Sequence, residues 1–95
     1  MRIDKFLQVS RLLKKRTAAK ELGEQQRLKI NQRIAKPSSE VEIGDIIEIS
    51  FGNRILTVQV NEIKKQVRKS DPPIYTIIRE ERIVESKVRE NNDMI

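Results

Sequence analysis

The side chains best able to do chemistry in this sequence are cations, and they crowd one end of it. In "SRLLKKRTAAK" (residues 10–20), five of eleven positions are cationic: Arg11, Lys14, Lys15, Arg16 and Lys20. Residues 1–36 hold eleven Lys/Arg against three acids (Asp4, Glu21 and Glu24), a net of +8, while residues 37–95 hold nine against eleven, a net of −2. A generally basic protein would spread its charge. A cationic block points to one localised anionic partner. Nucleic acid is favoured over a membrane surface or an acidic protein. The planar fork of arginine bridges two phosphate oxygens, whereas lysine acts as a mobile point charge. Arg2, Arg11 and Arg16 therefore read as positioning contacts, and Lys5, Lys14, Lys15, Lys20 and Lys36 as sources of counterion release and fast association. Lys64, Lys65, Arg68 and Lys69 read mainly as solvated surface.

Other chemistries find little support. The chain has neither histidine nor cysteine, so the usual general base, the commonest metal ligand and the thiolate are missing. No carboxylate pair has a compelling spacing, and no glycine-rich phosphate loop or metal cluster occurs. No enzyme activity, cofactor or metal is expected. No apolar run approaches the ~20 residues that span a bilayer, and no secretory segment opens the chain, so a cytosolic protein is expected. The aromatics are Phe6, Phe51 and Tyr75. They are too few for a base-stacking platform, and the last two read as sheet packing.

These cations need a scaffold, and 95 residues allow one small domain with a modest core. Phe6, Val9 and Leu13 recur at helical spacing, with Asp4 as an N-cap. One helix running on through Lys20 would turn Leu22 onto the Arg11/Lys14/Lys15 face. A break near Lys15–Arg16 removes that conflict and makes Thr17 a second cap, giving helices over about 4–13 and 17–25. Ala18, Ala19 and Leu22 form the buried side of the second. Thr17 would also leave that positive helix end open towards a phosphate. The period then falls to two. Strands are expected around Leu28–Ile30, 46–51, 55–63 and 74–78, with a turn at Asn31-Gln32 leading to Ile34-Ala35-Lys36, further turns at 43–45 and Gly52-Asn53, and an exposed loop over 64–73. Residues 79–95 are charged and patternless. They are expected to begin at most with a helical turn and to be flexible. The fold class is α+β: two short N-terminal helices packed on a small antiparallel sheet, with a flexible charged C-terminal tail.

"RIDKFL", "SRLLKKRTAAKEL", "RLKIN" and "IGD" together resemble the RNA-binding domain named after small-subunit ribosomal protein four, the αL-like S-four domain. The resemblance covers about residues 1–50. The whole length is similar to the short, free-standing bacterial RqcP family of ribosome-associated quality control, with "FGNRILTVQVNEI" and "YTIIREER" extending the match to about residue 82. The resemblance implies an S-four domain with added C-terminal strands over 1–80 and a tail over 81–95. It implies RNA-facing positions at Arg2, Asp4, Lys5, Arg11, Lys14, Arg16, Thr17, Lys20, Arg27, Asn31 and Lys36. Asp4 fits a structural role better, as a cap or a clamp for Arg2 or a neighbouring cation, and Asn31 either meets RNA or bonds its own turn. The partners it implies are large-subunit rRNA, tRNA and an RqcH-type tailing factor, on large subunits obstructed by peptidyl-tRNA. A free monomer is expected.

The family usually carries glycine where this chain has Gln26 and Gln32. Glutamine there implies a strained turn or a different turn type. Three alternative functions share these features: a heat-shock-type S-four protein that recycles obstructed large subunits without tailing, a protein–protein adaptor, and a membrane-surface protein. The last conflicts with the use of the first helix's apolar stripe in a core.

Overall fold

A computed structural model describes residues 1–82. Two helices, α1 (Ile3–Val9) and α2 (Arg16–Glu24), precede five strands: β1 (Leu28–Ile30), β2 (Arg33–Ile34), β3 (Ile46–Phe51), β4 (Arg54–Val60) and β5 (Tyr75–Arg82). The strands form one antiparallel sheet in the order β2-β1-β3-β4-β5. The expected α+β layout is the one observed.

The alternation in β3 and β4 turns Ile47, Ile49, Leu56, Val58 and Val60 towards the helices, where all five are buried. Cross-strand pairing sets Ile47 opposite Val58 and Ile49 opposite Leu56. A one-residue slip would expose this whole set, so the apolar pattern fixes the register. The helices close the core with Ile3, Phe6 and Leu7 from α1 and Ala19 from α2, all fully buried. Each large side chain of this group contributes about 1.5–3 kcal/mol by leaving water.

Both helices differ from expectation at their ends. The α1 N-cap is Arg2, held extended by a bridge to Glu40, and the Ile3 N–H donates to the Ser39 carbonyl at 2.7 Å. Asp4 is therefore one turn position inside the helix and caps nothing. The helix stops at Val9, not near Leu13, because Arg11 takes a left-handed φ of 69°. Buried Ser10 serves this break: its Oγ donates to the Leu7 carbonyl and accepts from the Leu12 N–H. Leu13 still packs on the core, but from the junction segment, where its N–H donates to the Leu7 carbonyl. The α2 N-cap is Lys15, with no side-chain capping bond, and Thr17 lies within the first turn.

Further corrections concern the sheet. The short strand β2, Arg33–Ile34, is not among the expected strands, and β4 ends at Val60, not Ile63. Residues 79–82 are strand, not a helical turn. "REER" has no apolar face to announce it, and pairing with β4, from Thr57↔Arg79 to Arg54↔Arg82, supplies the order. The rest of the expected tail, from residue 83, lies outside the described residues. Within the expected exposed loop, Val67 is buried.

The two glutamines keep the geometry that glycine would serve. Gln26 has φ 62° and follows the α2 C-cap. Its N–H donates to the Gly23 carbonyl and the Arg27 N–H to that of Leu22, a Schellman closure. Asn31 and Gln32 have φ 51° and 72°, the double positive φ of a type I′ hairpin turn between β1 and β2. A side chain in this region costs about 1–2 kcal/mol. Gln26→Gly and Gln32→Gly are each expected to stabilise by about 1 kcal/mol after the entropy of the freer unfolded chain. Thermal melts should show rises of roughly 4–8 °C. Gln25→Gly, at a φ of −88°, should show none.

Candidate nucleic-acid interface

Asp4 organises the helical face of the molecule. It is 1% exposed, yet its carboxylate accepts from two guanidinium groups: Arg2 Nη2 at 3.1 Å on Oδ2 and Arg16 Nη2 at 3.4 Å on Oδ1. The two arginines are themselves nearly half exposed, at 47% and 44%. One buried acid thus holds two cations from opposite sides of the helix junction with their remaining donors facing solvent. The clamp reading of Asp4 holds; the cap reading does not.

From Arg2 a band of cations runs across three adjoining clefts, and Arg16 stands beside it, tied through Asp4. The first lies between α2 and residues 34–38 and is lined by Arg2, Lys20 and Lys36, with Glu24 as its acid. Arg2 is shared with a second cleft, which adds Lys5 and Lys65 beside Met1 and Ile63. Lys5 and Lys65 are shared in turn with a third, which adds Arg11 and Lys14. Residues far apart in sequence therefore make one continuous cationic surface.

Some expected site residues fall elsewhere or do other work. Lys15, Arg16 and Thr17 are exposed at the start of α2 but line none of these clefts. Arg27, at the foot of β1, bonds Gln25 Oε1 at 3.1 Å. Asn31 is exposed, and its side chain bonds beyond its own turn. Its Nδ2 donates to Asp45 Oδ1 at 3.1 Å and its Oδ1 accepts from the Ile46 N–H at 2.9 Å, stitching the β1–β2 turn to the start of β3. Arg11 gives one donor to the Val67 carbonyl at 3.1 Å. Lys65 is the cation that sequence reasoning passed over: it sits in a mixed-charge loop, and only the fold returns that loop to α1. Of the aromatics, Phe6 is core, while Phe51 and Tyr75 pack partly buried against it, and Arg54 lies 4.9 Å over the Phe51 ring.

Comparison with known proteins agrees with this architecture. The S4 domain family matches residues 1–47. The chain is 50% identical over 86 residues to the "RQC P-site tRNA stabilizing factor" of Bacillus subtilis, covering 90% of this chain and 100% of that protein. It is 45% identical over 87 residues to the protein of that name from Streptococcus pneumoniae, covering 90% and 99%. The trimeric structure of heat shock protein 15 from Vibrio cholerae aligns with a TM-score of 0.74 at 30% identity, covering 99% of this chain and 93% of that one. With a relative half identical over its full length, and the S4 domain placed on the two helices and the first strands, this chain belongs to the family of RQC P-site tRNA stabilizing factors.

Proposed function

We propose that the chain is an RNA-binding factor of ribosome-associated quality control. It binds obstructed large ribosomal subunits in the cytoplasm, as a monomer when free, and contacts rRNA and peptidyl-tRNA. By holding the tRNA it supports C-terminal alanine tailing with an RqcH-type partner. The observation that carries this reading is the cationic band with Arg2 and Arg16 locked on buried Asp4. Pre-set arginine forks suit phosphates at a fixed spacing, as in A-form RNA, which is recognised by shape, phosphates and 2′-hydroxyls. The names of the relatives, tRNA stabilizing factors, support the same reading.

Sedimentation with purified large subunits tests it. Arg16→Ala is expected to weaken association about tenfold, the loss of one charge-assisted contact, and to lower the slope of log affinity against log salt by ~0.7–0.9. Unchanged association and slope would show that this surface does not meet RNA. A second reading, recycling of obstructed subunits without tailing, draws on the likeness to heat shock protein 15. Co-purification with the tailing partner and tRNA favours the first reading; large subunits alone favour the second.

A further inference from the structure

The cleft lined by Lys5, Arg11, Lys14 and Lys65 lies partly outside the S4 domain, which ends at residue 47. We propose that it is a pocket for a single unpaired nucleotide of the bound RNA, and that residues 61–74 form its second wall. This rests on the RNA-binding reading above and adds a subsite to it.

The wall is an ordered loop. Its neck is closed where the Asn61 and Glu62 N–H groups both donate to the Ile74 carbonyl, at 2.9 and 3.2 Å. Buried Val67 anchors its middle, and the Val67 carbonyl accepts from Arg11. Asp71 fixes the turn that follows, accepting from the Arg68 N–H at 2.9 Å while its own N–H donates to the Arg68 carbonyl. Surface loops closed in this way commonly carry binding residues.

The cleft chemistry selects the ligand. Four cations and no carboxylate line it, so its occupant carries negative charge. Among the described residues, Lys65 has no acid within ion-pair distance, whereas neighbouring Lys64 is paired with Glu62 at 3.2 Å. Gln8 and Gln66 add amides that both donate and accept, matching the mixed edge of a base. Val9, Leu13 and Val67 supply aliphatic contact. At about 510 Å³ the cleft has the size of a small-ligand pocket. One nucleotide turned out of a folded RNA fits that volume, with phosphates on the cationic rim.

The test uses the full chain and purified large subunits. Lys65→Glu is expected to weaken association about tenfold, and Lys65→Ala to lower the salt slope by ~0.7–0.9. Lys64→Glu should leave both near wild type. A photo-crosslinking residue at position 66 should then capture RNA at a nucleotide whose 2′-hydroxyl is chemically reactive, as unpaired nucleotides are. Wild-type association of Lys65→Glu alongside weakened Arg16→Ala overturns the pocket and spares the RNA-binding reading. Wild-type behaviour of both variants overturns the reading itself. A crosslink to a base-paired nucleotide, or to protein alone, also overturns the pocket.

Discussion

Asp4→Ala is expected to weaken association with large ribosomal subunits about tenfold, although it removes a negative charge from a surface that attracts an anion. Two effects of opposite sign compete. Deleting the carboxylate makes the surface more positive. At about 10 Å from a phosphate, across the intervening guanidinium and at an effective dielectric of about 40, that is worth ~0.8 kcal/mol in favour of binding, less after salt screening. Against it stands the loss of the anchor for Arg2 and Arg16. Freed, each long side chain must be ordered at the moment of binding, at about 0.5–1.5 kcal/mol apiece, and the fixed spacing of the two forks is lost. Positioning wins by roughly 1 kcal/mol or more.

A double-mutant cycle separates this account from general damage. Adding Asp4→Ala to Arg16→Ala should cost far less than Asp4→Ala costs alone, because half of what Asp4 organises has already gone. Asp4→Asn keeps the shape but only one acceptor oxygen, and should fall between wild type and alanine. Tighter binding by Asp4→Ala would mean that bulk charge, not arginine placement, governs recognition.

The parts of this arrangement legible in the sequence are those whose signal is periodic. Leu28, Ile47, Ile49, Leu56, Val58 and Val60 alternate along extended chain, and each is buried where alternation places it. The break between the helices was legible because an unbroken helix sends Leu22 to the wrong face. Its mechanism was not, since Arg11 in a left-handed conformation follows no residue preference. The caps were misplaced for a related reason. A carboxylate or hydroxyl near a helix start has several acceptable partners, and for Asp4 two arginines outcompeted the free N–H groups. Strand residues 79–82 owe their order to β4, not to their own pattern. The cationic block was legible from charge alone, but the position of Lys65 beside Lys5 depends on how residues 61–74 return to α1.

Gly23→Ala is expected to destabilise the fold by about 2 kcal/mol, although alanine is the better helix former by about 1 kcal/mol. Gly23 lies one turn beyond Ala19 on the buried side of α2, against residues 34–38. A Cβ there would stand 2.6 Å from Pro37 Cγ, 2.7 Å from Cδ and 2.9 Å from its backbone nitrogen. Such distances are too short to hold, and the ring cannot swing aside because it is part of the backbone. Pro37 is also tied in place: its carbonyl accepts from the Asp4 N–H at 3.2 Å, and the next contact along, Ser39 to Ile3, is 2.7 Å. Moving Pro37 therefore pulls on the residue that sets Arg2 and Arg16. The midpoint of thermal unfolding should fall by roughly 10 °C. Binding measured well below that midpoint should weaken as well. Pro37→Ala in the same chain removes the two ring-carbon contacts and should recover part of both losses. Recovery of stability without binding would show that the clash is local and that Pro37 does not transmit it to Asp4. A Gly23→Ala variant as stable as wild type would show that α2 and Pro37 separate at little cost, and would remove this packing contact as a determinant of the site.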